Sequence, residues 1–200
     1  MSSTEIAALL AYATAMAFTP GPNTTLSAAM AANHGLGHAM RFVLAVPFGW
    51  CLLLVACAAG LGSLVTAVPL VGTALRVGGA AYMLWLAWQL AQPGRARLGE
   101  PHTGLDVGFA RGVALQFVNA KAWINAMTIA ATWVTVEGQV AQRLTWVLPI
   151  AAAYGFASNF TYAAVGAALR RWLARGQRLL WFNRTMAAVL AATALWVLAS

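Results

Sequence analysis

Charged side chains are scarce in this 200-residue chain: Asp, Glu, Lys and Arg together make up 8% of it, against 62% hydrophobic residues. A soluble domain carries about a quarter charged residues. This composition cannot cover a water-facing surface, and an integral membrane protein is expected. Acidic residues are the scarcest: Glu5, Glu100, Asp106 and Glu137, each at the end of an apolar run or between runs. The usual intramembrane carboxylate relay for protons is therefore not visible, and nothing obvious would neutralise a cationic substrate side chain. The two cysteines, Cys51 and Cys57, fall in one apolar run and read as buried thiols, not a disulfide or a metal pair. No positive charge precedes the first apolar run, where Glu5 stands instead, so a cleavable signal is not expected. There is no His–Glu metal motif, acid pair or Ser–His arrangement, and an enzyme is not expected.

What is present is length of apolar sequence. Six segments emerge, near 5–31, 40–63, 69–91, 108–134, 143–169 and 179–199, each long enough for one crossing at about 20 residues per helix. They are continuous and rich in Ala and Leu, without the alternating ten-residue pattern of a β-barrel. The expected fold is thus an all-α integral membrane protein of six transmembrane helices. The net charge of +8 does not point to nucleic acid, because the cations lie in the gaps between segments. Arg41, then Arg95, Arg97 and Arg111, then Arg170, Arg171, Arg175, Arg178 and Arg184 fall on one side, with only Arg76 and Arg143 on the other. The positive-inside rule makes the first side cytoplasmic and puts both termini outside. Trp85, Trp88, Trp172, Trp181 and Trp196 lie near segment ends and read as interfacial anchors.

The longest connection carries Pro93, Gly94, Gly99, Pro101 and Gly104. It divides a first half (1–91) from a second (108–200), with 92–107 as a cytoplasmic link in a single membrane domain. Three helices per half means that the halves enter the membrane from opposite sides, the arithmetic of an inverted repeat. Arg76-Val-Gly-Gly-Ala-Ala with Leu84-Trp85 in segment three has a loose echo in Arg184-Thr-Met-Ala-Ala-Val with Leu195-Trp196 in segment six.

Two interruptions stand out. Thr19-Pro20-Gly21-Pro22-Asn23, followed by Thr24 and Thr25, cannot continue a helix undisturbed, since each proline lacks a backbone donor. In lipid, freed backbone groups survive only inside protein or beside a wet cavity. A helix restarting at Asn23 would offer free N–H groups and a positive dipole end to an anion; the alternative is a plain proline kink. In segment four stand Asn119, Ala120 and Lys121, with Asn125 close behind. Lys121 is the only lysine and the only charge well inside a segment. An ion at such depth costs roughly 2.5–3.5 kcal/mol. It reads as a partner for a substrate carboxylate, against the alternatives of snorkelling or pairing with a helix C-terminal carbonyl. At 1.5 Å per residue both interruptions lie roughly 20 Å into a core about 30 Å thick, entered from opposite faces, so they could meet near the midplane.

Lesser candidates are weighed the same way. His34 and His38 have metal-ligand spacing but no Cys, Asp or Glu beside them, which favours a loop. Gly104, Gly108 and Gly112 form a small-residue series suited to close helix packing. Asn159, Thr161 and Tyr162 could line a cavity or bond to neighbouring helices.

The Pro-Gly-Pro-Asn stretch at Pro20–Asn23 and the Asn-Ala-Lys-Ala stretch at Asn119–Ala122 resemble the two motifs of the LysE/RhtB amino-acid exporter family, over essentially the whole chain. The family's second motif is Asn-Pro-Lys-Ala, so Ala120 departs from it. Alanine keeps its N–H and favours helix, which weakens the case for a full break in segment four. The resemblance implies export of an amino acid or related metabolite across a bacterial inner membrane, driven by an ion gradient. The expected substrate site comprises Thr19, Pro20, Gly21, Pro22, Asn23, Thr24, Asn119, Lys121 and Asn125, with no cofactor and no metal. Expected partners are a small-molecule substrate and the lipid bilayer, a homo-oligomer also being compatible. A cation exporter and a non-transporting membrane scaffold are the rival readings.

Overall fold

The structure is a computed structural model that describes residues 1–92 and 107–199. Most of the long connection, with Arg95, Arg97, Glu100, Gly104 and Asp106, lies outside the described residues. Those described are helical almost throughout: α1 (Ser3–Phe18), α2 (Pro22–His34), α3 (Leu36–Ala56), α4 (Gly62–Ala67), α5 (Pro69–Ala91), α6 (Phe109–Val118), α7 (Ala120–Ile129), α8 (Val140–Leu173) and α9 (Arg178–Ala199). Three helical stretches have the length and composition to cross a membrane: Leu36–Ala67, Pro69–Ala91 and Arg178–Ala199. The first joins α3 to α4 through a π-turn at Cys57–Leu61, where Gly60 has φ 104°, a conformation open to glycine. Segments one and four are each two shorter helices, α1/α2 and α6/α7.

Helix α2 is the hub. Every residue from Thr24 to Asn33 is buried, and it packs on α3, α8 and α9. A helix with so little polar face to spare must satisfy its own Thr, Ser and Asn side chains. Ser27 donates to Asn159 Oδ1 of α8 at 3.0 Å. Asn33 and Asn183 of α9 exchange amide hydrogen bonds of 2.9 and 3.1 Å. Such bonds between membrane helices contribute about 0.6 kcal/mol each, up to about 1.7. Close approach does the rest: a Cβ on Gly166 of α8 would overlap the carbonyl of Ala28, and one on Gly79 of α5 would overlap that of Val118. Gly112 faces Ala45 and Phe42 of α3, as its small-residue series predicts, whereas Gly108 meets nothing.

Helix α2 turns into α3 through Gly35 alone, at φ 89°. At that turn the His34 and His38 rings stand 4.9 Å apart, at the far end of α2 from its Pro22 start. Helix α1 is less enclosed, burying only Leu9 and Ala13. Its first turn is tied down by Glu5, which accepts from Arg143 Nη1 at 2.9 Å, while its backbone carbonyl accepts from the Trp133 indole at 3.2 Å. Arg143, expected at the mouth of a connection, is thus buried against α1. Trp85, Trp88, Trp172, Trp181 and Trp196 are 43–61% exposed on the outside of the bundle. Cys51 and Cys57 are free thiols.

Candidate functional site

The first break runs through Thr19 and Gly21, both extended, before α2 starts with Pro22 at its first position. There the missing proline donor costs nothing. The Gly21 N–H and Thr24 hydroxyl pair at 3.0 Å, and Thr25 N–H reaches the Gly21 carbonyl at 2.9 Å. On the other side of the break the last carbonyls of α1 have lost their helical partners: Pro20 and Pro22 have no N–H for Met16 and Phe18, the Gly21 N–H that would serve Ala17 pairs with Thr24, and Thr19 has already left the helix. Side chains from the second half step in. Ser158 of α8 donates to Ala17, Tyr162 of α8 to Phe18 at 3.0 Å, and Lys121 Nζ of α7 to Thr19 at 2.8 Å.

The second break is real, although it has no proline. Asn119 alone is extended (φ −91°, ψ 102°), and its side chain accepts from the Lys121 N–H at 3.1 Å. A side-chain cap is enough to end α6 and start α7, so Ala120 becomes the first residue of a new helix instead of carrying α6 onward. The expectation that alanine here weakens the break is corrected on that ground. The carbonyl of Phe117, whose helical donor would be the Lys121 N–H, accepts instead from the Trp123 indole at 2.8 Å.

The two breaks face one cavity of about 100 Å³. Since a single water needs roughly 10–15 Å³ by this measure, the space holds a solute of several heavy atoms. Of the nine predicted site residues all but Pro20, which is exposed, line it. Lys121 lies across the first break: a Cβ on Gly21 would be 3.2 Å from both its Cδ and its Nζ. The contact it makes is the helix-capping alternative, an ammonium on a C-terminal carbonyl, with the cavity beside it. Asn125, one turn further along α7, has a buried Oδ1 with no hydrogen-bond partner, and such an acceptor in a cavity wall is available to a ligand or water. Asn23 is half-committed: it exchanges amide hydrogen bonds of 2.8 and 3.3 Å with Gln116 of α6.

A profile of the family described as LysE type translocator matches residues 14–200. The chain belongs to that family. Among its relatives, the cysteine/O-acetylserine efflux protein of Klebsiella pneumoniae subsp. pneumoniae is 34% identical over 189 residues, spanning 90% of this chain and 92% of the relative. The proteins of the same description from Escherichia coli K12 and Salmonella typhi are 30% and 32% identical over 174 residues, each spanning 86% of this chain and 87% of the relative. No solved structure matches. The protein is a membrane translocator and not an enzyme.

Several wall residues of this translocator were not singled out by sequence. Ser158 caps α1, and Trp50, Tyr154 and Ala151 complete the wall; behind it, Gln116 is fully buried and orients Asn23. Of the uncertain trio, Asn159 lines the cavity while bonding to Ser27, Tyr162 caps Phe18, and Thr161 only bonds back to Ala157 on an exposed face. One signal was there to find: Ser158 and Tyr162 are four apart on a helix, the spacing that puts both on one face.

Proposed function

We propose that this translocator exports a small amino acid with an uncharged side chain, or a close metabolite of one, across a bacterial inner membrane. The observation that carries this is the meeting of two helix breaks at one cavity that also holds the chain's only lysine. The start of α2 offers the unsatisfied N–H groups and positive dipole end that suit a carboxylate, and Lys121 stands within reach. The rest of the wall is largely apolar, with Ala13, Trp50, Ile129 and Ala151, and its polar members Tyr154, Ser158 and Asn159 are uncharged, so a short neutral side chain fits and a charged one would be stranded. The efflux proteins of cysteine and O-acetylserine among the relatives point to the same class.

Alternating access is the mechanism we infer, between a first half (1–91) and a second half (108–200) with six crossings in all. Packing supports that division: α3 lies on α6 and α7 as α8 lies on α1 and α2, and α5 lies on α9. Exchange of the halves turns each of these contacts into another, as an inverted repeat requires. The nine-to-two arginine bias favours cytoplasmic first, third and fifth connections. The test is to overproduce the protein in cells loaded with dipeptides and follow which amino acids appear outside. Faster release of small neutral amino acids is expected; release no faster than from cells without the protein overturns the reading.

A further inference from the structure

We propose that the C-terminal end of α1 is the subsite for the ammonium group of the substrate, and that the Lys121 ammonium occupies it in this conformation as a built-in stand-in. The inference deepens the export reading and rests on it for the identity of the substrate. The carbonyls of Ala17, Phe18 and Thr19 are served in turn by a hydroxyl, a hydroxyl and an ammonium, all from the second half of the chain. A helix C-terminus carries roughly half a negative charge; Pro22 has no N–H to give Phe18, and the Gly21 N–H that would serve Ala17 is taken by Thr24. The two hydroxyl donors sit on α8 at fixed positions. The third is a flexible four-carbon arm laid over Gly21, free of Cβ obstruction only because that residue is glycine.

Charge accounting then decides what an incoming zwitterion must do. The four acidic residues fall at segment ends or in connections of the sequence, and among the described residues none that lines the cavity is a carboxylate. The α1 carbonyl end is the site's negative pole, and it is already adapted to a primary ammonium. If the substrate ammonium takes that place while Lys121 moves onto the substrate carboxylate, the helix end keeps one cation and neither moving charge is left unpaired at membrane depth. An amine without a carboxylate would displace Lys121 and leave it stranded. A carboxylate without an amine would draw Lys121 away and leave the α1 end bare. The exchange thus selects for both groups on one molecule.

The purified full-length protein in lipid nanodiscs, as wild type, Lys121→Ala and Lys121→Met, tests this with methylammonium and tetramethylammonium as probes. Methylammonium is expected to raise the melting temperature of both Lys121 variants at a half-maximal concentration at least about tenfold lower than in wild type, a difference of about 1.4 kcal/mol. Tetramethylammonium, with no N–H to donate, is expected to do nothing. Equal effects of methylammonium on wild type and variants, or equal effects of the two probes, would overturn the ammonium subsite. A second arm compares L-cysteine, cysteamine and 3-mercaptopropionate as competitors for L-cysteine counterflow in wild-type proteoliposomes. Both half-molecules should compete at least about tenfold more weakly than L-cysteine, and 3-mercaptopropionate competing as well as L-cysteine would remove the role of the ammonium. Absence of any counterflow would count against the export reading instead, with the methylammonium arm still deciding the subsite.

Discussion

The two breaks do the same job with different chemistry. The first spreads over Thr19–Gly21, is enforced by two prolines, and leaves the α1 carbonyls to be satisfied by Ser158, Tyr162 and Lys121 from the other half of the chain. The second is one residue long, is held by the Asn119 side chain, and satisfies its freed Phe117 carbonyl locally through Trp123. One break is covalently enforced and externally capped; the other is held by a hydrogen bond and internally capped. The lesson is that a helix interruption has two costs, stopping the helix and paying its orphaned carbonyls, and the chain meets them separately. Because the first break draws its caps across the division between halves, any rearrangement of one half against the other is felt at the end of α1.

That contrast can be broken deliberately, and between the two breaks the larger effect is expected where only a side chain holds the break. Asn119→Ala should lower stability by about 0.5–2 kcal/mol and, by letting α6 run into α7 through the helix-favouring Ala120, cut export at least about tenfold (roughly 1.4 kcal/mol in the transition state), read as efflux rate per unit of protein. Adding Ala120→Pro to that variant should restore much of the rate. Asn119 already has the extended geometry that precedes a proline, and the N–H of the first helical residue is not needed. Ala120→Pro alone should leave export intact and stabilise by about 0.4–1 kcal/mol, measured by thermal melting. Lost export in that single variant would mean that the second break must be able to close.

Smaller effects follow on the side of the first break. Gln116→Leu leaves the Asn23 amide without its partner beside the cavity, a loss of about 0.5–1.5 kcal/mol, with a weaker apparent affinity for substrate as the readout. Pro20→Ala should matter least, changing the rate by less than about threefold, or roughly 0.65 kcal/mol, because Pro22 and the Gly21–Thr24 pairing remain. If Pro20→Ala proves more damaging than Asn119→Ala, the assignment of covalent and hydrogen-bonded breaks is the wrong way round.

Much of this arrangement was legible in the chain because prolines and lone charges are conspicuous in apolar sequence. Pro20, Pro22 and Lys121 announce themselves, and eight of the nine residues chosen around them line one cavity. The break at Asn119 was harder to see, since a single capping amide looks like any polar residue in a helix and Ala120 argues for continuity. Gln116 and Ser158 were missed for a related reason: polar side chains in membrane helices often bond back to their own turn, as Gln116 also does to Gly112, so their partners across the bundle leave no local pattern. The partner of Lys121 was legible only as a type, a helix C-terminal carbonyl; which carbonyl was not, because it lies more than a hundred positions away in the chain. Segment boundaries in α3 and α8 ran a few residues short because the helices continue past the apolar runs that reveal them.

The central claim is that the cavity between the breaks is the transport site and that Lys121 is its polar key. Its most direct test is the rate of counterflow, in proteoliposomes containing wild type or Lys121→Met at matched density, of the small neutral amino acid that wild type exports fastest, with melting temperatures taken alongside. The account predicts a loss of at least about a hundredfold, roughly 2.7 kcal/mol, in a variant that still melts cooperatively. Counterflow by Lys121→Met within about twofold of wild type, or roughly 0.4 kcal/mol, would contradict it.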